Sequence, residues 1–221
     1  MRYASSAWVS NAAPSEGPMT ETHPVDPQSL YGVFKAANER MARTYARDYG
    51  VRVNGLRPYI VYGPGREEGL TADINLALLA AARGERYRIG FGGDVALHHA
   101  EDVAALFTKL ALAPSDTGQV YNVRGTVLPM PDVVRAIEQA TGTHGLVEVT
   151  DEPLPIAADL SDDAVQRDYG PFAYHALVEG FRETLDVYSR AGAHGQARRP
   201  RRKARGRIRR RHHGSLRSGP S

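Results

Sequence analysis

A chain of 221 residues, 42% hydrophobic and 24% charged, has the size and composition of one globular domain with its own core, which excludes fibrous and wholly disordered classes. It contains no cysteine, so a disulfide scaffold, a thiolate zinc site and an iron–sulfur cluster are excluded together. The net charge of +3 conceals a split: residues 190–221 hold 12 of the 28 basic residues and none of the 25 acidic ones, leaving 16 basic against 25 acidic residues, or −9, on the first 189. A body of that charge is not expected to bind nucleic acid through a basic face. No apolar run approaches the roughly 18 to 20 residues of a membrane-spanning helix, and the opening MRYASSAWVSNAAP has no charged segment leading into an apolar one. The expectation is a cytoplasmic protein without a membrane partner.

In chain order, Arg2 to Val9 reads as a short buried strand running into a long polar loop that ends near Ser29. From Leu30 to Tyr49, Val33, Ala37, Met41 and Tyr45 recur at four-residue spacing with Gly50 placed as a C-cap, which predicts a helix. Val51 to Leu56 reads as a strand stopped by Pro58 and the Gly63-Pro64-Gly65 turn. Strand, helix and strand predict a parallel α/β layer. Further helices are expected over Ala72 to Arg83, Glu101 to Leu112, Pro131 to Thr141 and Tyr174 to Arg190, with short strands at Arg86 to Ile89 and Gln119 to Val123. Residues 191–221 are Arg-, Gly-, His-, Ser- and Pro-rich with almost no large apolar side chain, which predicts a disordered tail after a domain spanning 1–190.

Tyr31 and Lys35 lie four apart in the first expected helix and so emerge from one face, a turn apart. A phenol with a pKa of about 10 is a poor base in water until a neighbouring ammonium stabilises its phenolate, and the pair would then move protons. The bare Y-x-x-x-K spacing is more often a surface tyrosine beside a solvated lysine. Here only Lys35, Lys109 and Lys203 are lysines, against 25 arginines, so a compact point charge stands where the chain ordinarily uses a planar fork. Ser6 ends the first strand, where the carboxyl end of a parallel strand meets the ligand crevice, and its hydroxyl would orient a substrate oxygen; alone, a strand-end serine more often satisfies backbone.

The ordered set Ser5-Ser6, Thr20-Glu21, Pro27-Gln28-Ser29-Leu30-Tyr31-Gly32-x-x-Lys35 with Glu39, and Leu56-Arg57-Pro58-x-x-Val61-Tyr62-Gly63-Pro64-Gly65 resembles the extended short-chain dehydrogenase/reductase family, in its NAD-dependent epimerase/dehydratase branch. The likeness runs from about Tyr3 to Tyr188 and includes His99-Ala100-Glu101-Asp102-Val103-Ala104. It implies an α/β fold with a Rossmann-type parallel sheet, of which this chain holds the C-terminal part, and a small substrate-side α/β lobe from about Thr71. It implies hydride transfer to or from NAD or NADP, with Ser6 holding the substrate oxygen, Tyr31 as general acid/base and Lys35 on the nicotinamide ribose. Tyr31, Lys35 and the stretch Pro58, Tyr59, Ile60 and Val61 would meet the cofactor, and Ser6 and Arg66 a small, sugar-like substrate. Family members often dimerise through the helix corresponding to Tyr31 to Tyr49, which implies a homodimer.

The G-x-x-G-x-x-G turn that cradles pyrophosphate is not among these residues, since Gly63-Pro64-Gly65 and Gly90-Phe91-Gly92-Gly93 have other spacings. The chain is therefore expected to begin at about the fifth strand of the family's sheet, with an exposed edge. Val9-Ser10-Asn11 replaces a common V-Y-G, Phe34 stands where serine is common, and Val95 replaces an arginine that nucleotide-sugar enzymes often use, which argues against a nucleotide-diphosphate sugar. His98 and His99 point to opposite faces of a strand with no third ligand at metal spacing, so structural histidines and no metal are expected. Arg198 to Arg211, with ten basic residues in fourteen, would attract polyanions non-specifically. Two other readings stand beside the enzyme: a non-catalytic remnant unable to bind cofactor, and a basic-tailed polyanion-binding module.

Overall fold

The computed structural model describes residues 1–11, 17–113 and 118–193. Three short sheets carry the architecture. In the first, β1 (Arg2–Ala4), β2 (Asn54–Arg57) and β6 (Val120–Asn122) run parallel in the order β1-β2-β6, with Ala4 opposite Leu56 and Arg57 opposite Asn122. The helix α1 (Leu30–Tyr49) joins β1 to β2, the crossover that parallel strands require. In the second, β3 (Ile60–Tyr62) lies parallel to β5 (Asp94–His99), which is antiparallel to β7 (Thr126–Pro129). The third pairs β4 (Tyr87–Ile89) with β8 (Val147–Val149) in parallel. The expected α/β class with a parallel sheet holds, and β1 is an edge strand.

The remaining helices are α2 (Asp73–Ala82), α3 (Ala100–Leu112), α4 (Met130–Thr141), α5 (Asp163–Tyr169) and α6 (Leu177–Ala193). The larger core gathers Ile60, Tyr62, Leu78, Leu97, Met130, Ile137 and Phe181 from the second sheet and the helices α2, α4 and α6, with Phe91 from the loop between β4 and β5, all nearly or fully buried. A second cluster of Leu56, Leu106, Leu110, Tyr121, Val165 and Tyr169 lies between the first sheet and α3 and α5. Val103, Leu106 and Leu110 recur at the spacing that turns one face of α3 inward. Gly50 and Gly142 close α1 and α4 in the left-handed conformation, φ 64° and 72°, as C-cap glycines do.

Several expectations are corrected. The strand expected over Arg2 to Val9 ends at Ala4, because Ser6 caps a 3-10 turn, Ala7–Val9, by accepting a bond from the Trp8 amide. Val51 to Val53 are outside β2, and Pro58 interrupts rather than ends the extended run, which resumes as β3. α6 starts at Leu177 and runs to Ala193, three residues into the tail expected to be disordered; residues 194–221 lie outside the described ones, and with them the Arg198 to Arg211 run. Among the described residues no helix is long and apolar enough to cross a membrane.

Candidate active site

The carboxyl ends of β1 and β2 are stitched together beyond the sheet itself. The Ser5 amide donates to the Leu56 carbonyl at 2.8 Å and the Ala7 amide to the Pro58 carbonyl at 3.1 Å, which sets Ser6 beside Pro58. Ser6 is buried, and its hydroxyl accepts from the Trp8 amide at 3.3 Å. Helix α1 begins against this turn. Ser29 caps it by accepting from the Gly32 amide at 3.1 Å, so Tyr31 falls in the first turn. The Lys35 ammonium donates to the Ala4 carbonyl at 2.8 Å and lies 5.4 Å from the centre of the Tyr31 ring. Tyr31 is 53% exposed, so its phenol is open to a ligand.

Gly32 makes this approach possible. A Cβ there would stand 2.1 Å from the Trp8 carbonyl oxygen and 2.8 Å from Pro27 Cβ, and the first of these is backbone that cannot swing away. Gly32→Ala is therefore expected to lower stability by about 1–3 kcal/mol, the usual range for overpacking, although alanine is the better helix former. Urea unfolding checks it, and an unchanged midpoint would show that α1 does not sit this tightly on the turn.

Deeper in, Glu39 and Arg57 are each 2% exposed and form a bidentate pair, Arg57 Nε to Glu39 Oε1 and Nη2 to Oε2, both 2.7 Å. The Ser5 hydroxyl donates to Glu39 Oε1 at 2.5 Å. This network ties β1, α1 and β2 at the point from which Lys35 and Tyr31 project. Burial pushes the neighbouring Tyr3 phenol up to about 12, and the Glu39 carboxylate adds to the rise.

Pro58, Tyr59 and Ile60 are buried and Val61 half-buried. The Tyr59 amide donates to His98 Nε2 at 3.0 Å, and its hydroxyl to the Ile156 carbonyl at 3.1 Å. Burial pushes the Tyr59 phenol well above its ordinary range and His98 down to about 4, so His98 is neutral and serves as an acceptor that fixes the turn after β2. Arg66 belongs to the loop after β3; its guanidinium donates to the Glu68 carbonyl at 2.7 Å and the Thr71 hydroxyl at 3.1 Å, and the same loop is held to α6 by the Gly65 amide on the Tyr188 hydroxyl at 2.8 Å. Ser6, Tyr31, Lys35 and Pro58 thus converge on one sheet end, while Arg66 is anchored elsewhere. Glu21, which the sequence motif included without a role, accepts from the Asn122 amide at 2.7 Å and holds the long loop against β6.

A hydroxyl, a phenol and an ammonium at the carboxyl end of parallel strands form the kind of site at which α/β enzymes move protons beside a bound cofactor. The sequence profile of the NAD dependent epimerase/dehydratase family matches residues 1–123, and the chain belongs to that family. UDP-glucuronate 4-epimerase 6 of Arabidopsis thaliana is 28% identical over 194 residues, covering 79% of this chain and 42% of the relative. UDP-glucose 4-epimerase of Mycolicibacterium smegmatis is 31% identical over 188 residues, covering 79% and 58%. The crystal structure of Thermus thermophilus UDP-glucose 4-epimerase complexed with NAD superposes with a TM-score of 0.73 at 25% identity, covering 85% of this chain and 63% of that one. The chain spans about half the length of the relatives it matches.

Proposed function

We propose that this chain carries the reaction side of an NAD- or NADP-dependent oxidoreductase or epimerase acting at a hydroxyl- or carbonyl-bearing carbon of a small, sugar-like substrate. The observation behind this reading is the convergence of Ser6, Tyr31, Lys35 and Pro58 at the joined ends of β1 and β2. These residues fit the nicotinamide end of a dinucleotide: Lys35 and Tyr31 are the groups to meet the ribose, and Pro58 to Val61 line the approach. The glycine loops after β3 and β4 do not have the spacing of a pyrophosphate turn. When bound, the nicotinamide supplies the hydride acceptor and donor.

The chain's own residues divide the remaining work. Ser6 holds the substrate oxygen, and Tyr31 takes the proton of the reacting hydroxyl and returns it. Lys35 provides a compact positive charge beside the phenol. Against the expectation drawn from Val95, the named relatives are UDP-sugar epimerases, so a UDP-sugar is the first substrate to try, with phosphate contacts that do not involve Val95, which is fully buried in β5. Leu30, Phe34, Met41 and Tyr45 are exposed along α1 and suit a second copy of the chain, giving a homodimer.

The test joins residues 1–221 behind a dinucleotide-binding half that carries the G-x-x-G-x-x-G turn, and follows conversion of UDP-glucose and UDP-glucuronate to their 4-epimers by chromatography. NAD-dependent epimer formation is the expected result. No turnover, with no NAD or NADP binding by the joined protein, would replace this reading with that of a non-catalytic remnant.

A further inference from the structure

A second cluster of functional side chains lies where β5 runs into α3. His99 ends β5, Glu101 stands in the first turn of α3, His175 precedes α6, and Glu183 lies within α6. One ligand atom from each of the four lies within 4.8 Å of all the others. The helix dipole accounts for an acid at the start of α3, because anions are stabilised there. It does not account for His99, which is 3% exposed and has neither ring nitrogen bonded to another described residue. Buried imidazole nitrogens without partners are costly, and each one calls for a ligand.

The neighbouring histidine is oriented as a metal ligand would be. The His175 Nδ1 faces Asp102 Oδ1 at 2.5 Å, and its backbone amide donates to the other Asp102 oxygen at 2.9 Å. That fixes the ring and leaves Nε2 for the cluster, where it stands 3.4 Å from Glu183 Oε2. Ligands about 2.1 Å from a tetrahedral ion are about 3.4 Å apart, so this pair already has the required spacing. A histidine that gives its other ring N–H to a carboxylate is the usual outer support of a bound metal. The His99 and His175 rings lie 4.5 Å apart, tilted by 46°, so that both can address one point.

We propose that His99, Glu101, His175 and Glu183 bind one divalent transition-metal ion of the borderline class, zinc being the representative, with Asp102 as the positioning carboxylate behind His175. Two imidazoles and two carboxylates are the donor set that suits such an ion. Glu101 and Glu183 are exposed, which gives the ion an entry path. The ion would clamp α6 to the junction of β5 and α3, beside the contact of Phe181 on α6 with Tyr62 on β3. The site is independent of the catalytic reading above, because none of Ser6, Tyr31 or Lys35 belongs to it.

The test is titration of the metal-stripped 221-residue chain with zinc chloride by calorimetry, with cobalt(II) absorption as the geometric readout. One ion per chain at a micromolar Kd or tighter, the intense visible bands of four-coordinate cobalt, and a Tm raised by about 5 °C at a hundredfold excess over Kd are expected. Glu183→Gln should weaken binding at least tenfold, and His99→Gln should abolish it. Should His99→Gln fail to fold, the exposed Glu183→Gln and Glu101→Gln variants decide. A His212→Ala/His213→Ala variant should bind as the original does. No stoichiometric uptake, uptake indifferent to Glu183→Gln, or uptake lost with His212 and His213 would each overturn the proposal.

Discussion

Tyr31→Phe should lower kcat of the joined, cofactor-competent protein by about 10²–10⁴-fold, the range for removing a positioned general acid/base, while KM changes little. The change deletes one hydroxyl from a side chain that is 53% exposed, so packing is hardly touched and the urea midpoint should not move. Lys35→Met should fall in the same direction. It removes both the charge 5.4 Å from the ring and the 2.8 Å bond to the Ala4 carbonyl. Lys35→Arg tests charge against shape: a planar guanidinium cannot reproduce a point donor between that carbonyl and the ring, so it should recover only a small part of the rate. A Tyr31→Phe variant as fast as the original would remove Tyr31 from the chemistry, whatever the sequence pattern implies.

Helix α1 shows what the sequence does and does not reveal. Both ends were legible, since Ser29 and Gly50 are the cap residues that helices use. Its orientation was not. The apolar residues Val33, Met41 and Tyr45 face outward, and the buried residues are Gly32, Glu39 and Ala46. Periodicity assigns the apolar stripe to the core because it assumes a charge cannot go inside. Glu39 goes inside because Arg57, on a strand formed later in the chain, meets it there, and Gly32 because the Trp8 carbonyl approaches too closely for any Cβ. Short strands were missed for a related reason: β3, β7 and β8 have three or four residues each and are fixed by partners distant in sequence. In the candidate active site the residue types and their order were legible, because one strand, one helix and one turn carry them. The metal cluster was not, since the histidine judged to lack further ligands meets His175 and Glu183 only once α6 has folded back over β5.

The Glu39–Arg57 pair carries the largest expected stability effect. Glu39→Ala should cost about 3–5 kcal/mol, the range for breaking a buried pair from one side, against a total of about 5–15 kcal/mol for a domain. The reason is the charge left behind. Without Glu39 the buried guanidinium keeps only Asn122 Oδ1 at 3.5 Å among the bonds described. Arg57→Met should cost less, because the stranded carboxylate still accepts from Ser5 and has Arg43 at 3.8 Å, reaching in from a half-exposed position. The double variant Glu39→Met/Arg57→Met removes both charges and fills part of the space. It should be more stable than Glu39→Ala, with a coupling of about 2 kcal/mol or more in a double-mutant cycle measured by urea unfolding. Because Glu39 lies one turn beyond Lys35 on α1, the same variants should loosen the Lys35 bond to Ala4 and lower kcat even where the protein remains folded. A cost below about 1 kcal/mol for Glu39→Ala would mean that water reaches the pair and that α1 is held on the sheet by its packing against the Trp8 turn alone.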